Sequence, residues 1–249
     1  MAALVGATEI LPPPANGRRF SAARVVRLGD VDPSGSLRLD STARYLQDVA
    51  TDDVVDSGLD QVSGWVVRRS MIVVRQVARL DERVELTTFC TGLGRSWAER
   101  TTQLRGAGGA VVDAVSLWVQ VAPATGRPTP LSDGFREIYG ESSNGRIISP
   151  RLVLPSPSEQ ARVQPWMIRR TDLDPFDHVN NAATWSFLEE ALGDSNRSRA
   201  GRAELEFVTP VQHGGPAELR VDDTETSGCS AWLVADGIVR SAARWRESL

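Results

Sequence analysis

Asp174 and His178 stand four residues apart, and Asn180 and Asn181 follow at once. A carboxylate, an imidazole and two amides on one short stretch make a compact hydrolytic set. Such chemistry needs a base or nucleophile, a donor for the developing oxyanion and a dry slot for the substrate. An unperturbed imidazole titrates near pH ~6.5, which suits a general base. Each residue also has a structural reading. Asp174 precedes Pro175, and Asp-Pro initiates turns. Asn180 and Asn181 suit helix capping, at a place where the first N–H groups of a helix are free for a carbonyl oxygen.

The same stretch occurs twice. Asp30-Val31-Asp32-Pro33-Ser34-Gly35-Ser36-Leu37 returns as Asp172-Leu173-Asp174-Pro175-Phe176-Asp177-His178-Val179, an offset of 142 (172 − 30) that holds to Thr42/Thr184 and Leu46/Leu188. A duplicated unit of roughly 100 residues means two similar folding units in one chain. Asp32 is the first copy's carboxylate, but Ser36 replaces the histidine and Arg38 and Leu39 replace the two asparagines. The first copy therefore reads as a degenerate site whose unit shapes the substrate pocket.

Positioning these residues takes a strand, a turn, a helix and a sheet, in each copy. In the first, Phe20–Leu28 reads as a strand. A helix follows over about Ser41–Asp56, with Ala43, Leu46, Ala50 and Val54 on one face, Asp40 as N-cap and Gly58 as stop. Trp65–Ala78, Arg83–Gly92, Ser96–Arg105 and Ala110–Ala122 read as strands. The second copy repeats this with Val163–Arg169, a helix over Ala182–Leu192 capped by Asn181 and ended by Gly193, and strands Ala203–Thr209, Ala217–Thr226, Cys229–Ala235 and Val239–Arg246. Between them, Pro128–Pro157 holds five prolines and the loop Ser142-Ser143-Asn144-Gly145, with a short helix over Ser132–Tyr139. The pattern is α+β, with units at 17–140 and 162–249 and a linker at 141–161. A helix on a curved antiparallel sheet buries one sheet face, and two such units can pair edge to edge.

Composition narrows the class. A net charge of −4 gives no pull toward nucleic acid. No apolar run approaches the roughly 18 residues that span a bilayer, so membrane insertion is not expected. Met1–Gly17, with Pro12, Pro13 and Pro14 and no basic start, reads as a loose leader rather than a signal peptide, and a cytoplasmic location follows. Cys90 and Cys229 lie far apart with no metal spacing and read as buried thiols. Neither a phosphate loop nor a nucleotide fingerprint is present.

The residues now in hand carry a resemblance. Gly29-Asp30-Val31-Asp32-Pro33-Ser34-Gly35 is similar to the Asp-x-Asp-x-x-Gly signature of single hot-dog acyl-CoA thioesterases. Leu173-Asp174-Pro175-Phe176-Asp177-His178-Val179-Asn180-Asn181, continuing to Trp185 and Glu190, resembles the Leu-Asp-x-Asn-x-His-Val-Asn-Asn signature of acyl-acyl carrier protein (ACP) thioesterases of plants and bacteria. Trp65-Val66-Val67-Arg68-Arg69, Ser116-Leu117-Trp118-Val119 and Thr125-Gly126-Arg127 resemble that family's first half, so the likeness runs from about Phe20 to Arg246. The resemblance implies a double hot-dog fold and hydrolysis of a fatty acyl-ACP thioester to free fatty acid, ending fatty acid synthesis without a cofactor or metal. Asp174 and His178 match the family's Asp and His. The family's Asn falls on Phe176 and its Glu-Cys pair near Pro210-Val211, so Asp174 and His178 carry more of the work. Asn180, Asn181, Glu190 and Asp32 are candidates for catalysis or substrate positioning, and Asp177 or Glu189 for compensation.

ACP is acidic, so its docking calls for basic residues, with Arg68, Arg69, Arg146 and Arg151 as candidates. His213 sits in a Gly-rich turn and reads as exposed; Glu204 and Glu206 read as strand surface or edge. The seven tryptophans read as core or interface. An acyl-CoA thioesterase and a non-catalytic acyl-binding protein are the competing readings; a hydratase is disfavoured by the Asn-Asn and Trp-x-x-Leu-Glu context. The chain contains the pairing that single hot-dogs make between chains, so monomer and homodimer are both compatible with it.

Overall fold

The computed structural model describes residues 9–59, 64–196, 200–224 and 228–247. The start of the leader (1–8) and Glu225–Thr226 of one expected strand lie outside them.

Ten strands form one antiparallel sheet. In the first half are β1 (Arg19–Val25), β2 (Gly64–Gln76), β3 (Arg83–Leu93), β4 (Trp97–Gly106) and β5 (Val111–Val121); in the second are β6 (Arg162–Trp166), β7 (Gly201–Phe207), β8 (Ala217–Thr224), β9 (Gly228–Ala235) and β10 (Ile238–Glu247). The order is β1-β3-β4-β5-β2-β7-β10-β9-β8-β6. Read outward from the centre, the second half repeats the first. The halves meet where β2 pairs with β7, from Arg69 opposite Glu206 to Val74 opposite Gly201.

The long helix α1 (Leu39–Ser57) lies on one sheet face beside two short helices, α3 (Asn181–Thr184) and α4 (Ser186–Asn196). One apolar core joins them. It takes Leu46 and Val49 from α1, Trp185, Phe187 and Leu188 from the second-copy helices, and Ile72, Leu86, Leu104, Leu205 and Leu233 from the sheet. Alternation along each strand puts these residues on one face. Remaining from the first half, α2 (Asp133–Tyr139) is capped by the Ser132 hydroxyl and stacks Phe135 on Trp65, ring centroids 5.1 Å apart.

Several details depart from the sequence reading. α1 begins two residues early, with Arg38 at its N-cap and Asp40 in its first turn. Arg38 makes no side-chain cap bond; the carboxylate of Glu189, on α4, accepts from Leu39 N–H instead. Gly58 ends α1 as expected, at φ 67°. The second-copy helix is capped by Asn180, not Asn181: Asn180 Oδ1 accepts from Ala182 N–H at 2.8 Å. The helical stretch is divided at Trp185, where the Thr184 and Ser186 hydroxyls also donate to the carbonyls of Asn180 and Ala183.

The linker is a strap across the other sheet face. Trp97 Nε1 donates to Ile148 O, Arg69 Nη1 to Arg151 O and Trp232 Nε1 to Pro155 O. Glu206 accepts from Val153 N–H at 2.6 Å and Leu154 N–H at 3.1 Å. Glu206 is therefore neither surface nor edge: β7 is central, and the strap covers its outer face. The same covering removes Arg69 and Arg146 from any docking patch, since Arg69 is buried and the half-buried Arg146 pairs with Glu99. Arg68 and Arg151 remain, and Arg68 donates to the carbonyls of Phe207 and Val208. Trp185, Trp232 and Trp245 are buried in the core, as the sequence suggests.

Candidate active site

The two copies of the turn are built alike, bond for bond. Asp32 N–H donates to Ser36 O, and Asp174 N–H donates to His178 O. Arg38 N–H donates to Asp30 O, and Asn180 N–H to Asp172 O. Each turn then docks on the loop after its half's strand at the sheet centre (β2 or β7), through Leu37 N–H to Ala78 O and Val179 N–H to Val211 O. The tip requires a left-handed residue, which is Gly35 at φ 78° in one copy and Asp177 at φ 60° in the other.

What the two turns hold differs. Asp32 is buried, and its Oδ1 accepts from Ser34 N–H, Ser34 Oγ and Ser36 N–H. Arg79 reaches Ser36 Oγ at 2.6 Å, and Arg38 donates to the carbonyls of Val31 and Gly29. The first turn is thus filled by its own serines and by guanidinium groups. In the second, Asp174 is half-buried and Oδ1 accepts only two N–H groups, from Phe176 at 2.9 Å and His178 at 3.2 Å. Among the described residues Oδ2 has no hydrogen-bond partner. His178 is half-buried, and its backbone bridges Gln212 on the loop that carries Pro210 and Val211.

The remaining candidates fall apart from this pair in different directions. Glu190 is exposed, whereas Glu189 before it is buried and engaged with α1. Phe176 is 78% exposed, so a phenyl group there fills no slot in the site. His213 is exposed, as its turn suggests. Relieved of capping by Asn180, Asn181 lines a narrow groove with Ala43, Leu46, Ser70, Trp118 and Trp185, between α1 and α3. Trp118 also lines a larger cavity of about 160 Å³, walled by Ala50, Val54, Leu59, Trp65, Cys90, Ala98, Arg100 and Phe135. Its position under α1 and α2 was not foreseen from the sequence, because no local pattern announces a gap between packed elements.

Among the described residues, no group of three or more His, Cys, Asp or Glu could hold a metal ion. No described helix is long and apolar enough to cross a membrane. Both cysteines are free and buried, and burial pushes each thiol up to about 11.

Comparison with known proteins decides the family. The model of the acyl-ACP thioesterase N-terminal domain matches residues 17–139, and that of the C-terminal domain residues 156–243. The chain belongs to the acyl-ACP thioesterase family. It is a thioester hydrolase. An uncharacterised protein of Mycobacterium tuberculosis is 30% identical over 235 residues, 94% of each chain. Among solved structures, the 12:0-ACP thioesterase from Umbellularia californica superposes with a TM-score of 0.77 at 19% identity, covering 94% of this chain and 99% of that one. An acyl-ACP thioesterase from Bacteroides thetaiotaomicron gives 0.72 at 18%, covering 92% and 98%. At that identity the likeness shows the fold alone, and it makes the thioesterase hot-dog-like α+β.

Proposed function

We propose that this thioesterase is a double hot-dog acyl-ACP hydrolase, with units at 17–140 and 162–249 and a linker at 141–161, whose second-copy turn carries the chemistry. One observation supports this most: Asn181, three residues beyond His178, lines a groove that shares Trp118 with the larger apolar cavity. A thioester carbonyl beside Asn181 would send its acyl chain past Trp118 under α1. In this reading Asp174 Oδ2, with His178 in the same turn, takes one proton from an attacking water and returns it to the leaving thiolate, and the Asn181 amide donates to the oxyanion. Asn180 holds the start of α3, and the filled first turn serves as scaffold. The matching domain models support ACP as carrier, with free fatty acid as the product, and the reading places this activity in the cytoplasm.

Thiol release from acyl-ACP and acyl-CoA of C8 to C18 tests the reading. Asp174→Ala and His178→Ala are each expected to lower kcat at least about 100-fold, the lower range for removing a general base. Turnover that survives both substitutions would move the chemistry elsewhere, with Asp32 next in line. A higher kcat/KM on CoA than on ACP would replace the carrier in this assignment.

A further inference from the structure

Two charged residues of β4, Glu99 and Arg100, line the larger cavity, and Arg100 is the cationic one. Arg100, on β4, faces the helices with its side chain only 11% exposed. Nη1 donates to Asp53 Oδ2 at 2.5 Å and to Thr88 Oγ1 at 3.2 Å, and the guanidinium carbon lies 5.4 Å from the centre of the Tyr139 ring. These bonds use one of three nitrogens. Among the described residues, none accepts a hydrogen bond from Nε or Nη2, and neither atom is sealed off within the protein.

A plain alkyl chain filling this cavity would strip water from those donors and return only methylene groups. Charged donors left without partners in an apolar site are costly. An oxygen at the same depth would satisfy them. Sites built to hydrogen-bond a substrate hydroxyl reject the analogue lacking it far more strongly than apolar pockets reject a missing methylene. The oxygen is better neutral than anionic. Asp53, 1% exposed, already pairs with Arg100 and with Arg18 Nε at 2.7 Å, Asp56 balances the charge of Arg18, and Glu99 also lines the cavity. A ligand carboxylate would be set against both Asp53 and Glu99.

We propose that Arg100 selects acyl chains bearing a hydroxyl in the half remote from the thioester. This rests on the reading above, in which the chain runs from Asn181 past Trp118 into the larger cavity.

The test gives the full-length protein paired acyl-ACP and acyl-CoA substrates from C8 to C16, unsubstituted, ω-hydroxy, ω-carboxy or 3-hydroxy. Wild type is expected to favour the ω-hydroxy chain over its plain partner by about ten-fold or more in kcat/KM at the best length. The 3-hydroxy chain should show no such gain, and the ω-carboxy chain should be slower than the ω-hydroxy one. Arg100→Met should reverse the preference, with Asp53→Asn/Arg100→Met as the second variant, since it leaves no unpaired carboxylate. If neither folds, the wild-type comparison decides alone. Hydrolysis of plain chains at every length with no hydroxyl preference overturns this inference and leaves the thioesterase reading standing. A preference unchanged in the variants, or an ω-carboxy chain that is fastest, also overturns it. No hydrolysis of any substrate sinks both.

Discussion

Asp174 and Asp32 begin from the same turn and end in different states. Asp32 Oδ1 is saturated by serine hydroxyl and backbone N–H groups, whereas Asp174 keeps one oxygen without a partner among the described residues. Asp32→Asn is therefore expected to disturb the fold of the first turn more than turnover: a lowered Tm with kcat within about three-fold of wild type. A loss approaching that of Asp174→Ala would contradict the division between the two copies. The cysteines give a second check at this scale. With both thiols pushed up to about 11, native protein should resist a disulfide reagent at pH 8, and both should react after denaturant. What the sequence made legible at this scale was contiguous. His178 and Asp174 share one turn, so chain order alone put them side by side. Arg100 was invisible in this role, because its place in a cavity depends on Asp53, a helix away in the chain and adjacent only after folding.

At the scale of elements, α1 depends on a residue from the other copy. Glu189 takes Leu39 N–H where Arg38 offers no cap. Glu189→Ala should cost about 1–2 kcal/mol by losing a helix cap, read as a lower denaturant midpoint with an unchanged slope. The turn before α1 adds a pH dependence. Burial pushes the Asp30 carboxyl up, but hydrogen bonds from Tyr45 and Arg27 N–H and the charge of Arg44 outweigh it and hold the group below its usual value. A depressed carboxylate contributes stability fully present above the unfolded value near pH ~4 and lost as pH falls through the folded one. Asp30→Asn should therefore destabilise at neutral pH and flatten the acid limb of the unfolding curve. Strands and helices were legible from periodicity to within a few residues, since that signal is local. The caps were misplaced by one or two positions because a cap is a hydrogen bond, and Asp40, Asn180 and Asn181 all have the right chemistry. Which of them makes the bond is set by how the turn docks.

Across the whole molecule, the β2–β7 pairing joins two halves of like order, and the strap crosses it on the opposite face from the helices. Glu206 and Arg69 illustrate what chain order conceals at this scale. Both are charged residues that alternation assigns to a surface, and both are buried because a distant proline-rich segment lies over them. The repeat itself was legible, as identity at a fixed offset survives any packing.

Ile72 stands opposite Ala203 and Ser70 opposite Leu205 along that central pairing, while Glu159 and Gln160, where the strap turns into β6, are exposed. A chain opened at this exposed turn keeps the ladder and the strap's bonds to Glu206 and Trp232 as contacts between two polypeptides. One gene could thus be written as two, whose separately expressed products reassemble into a heterodimer.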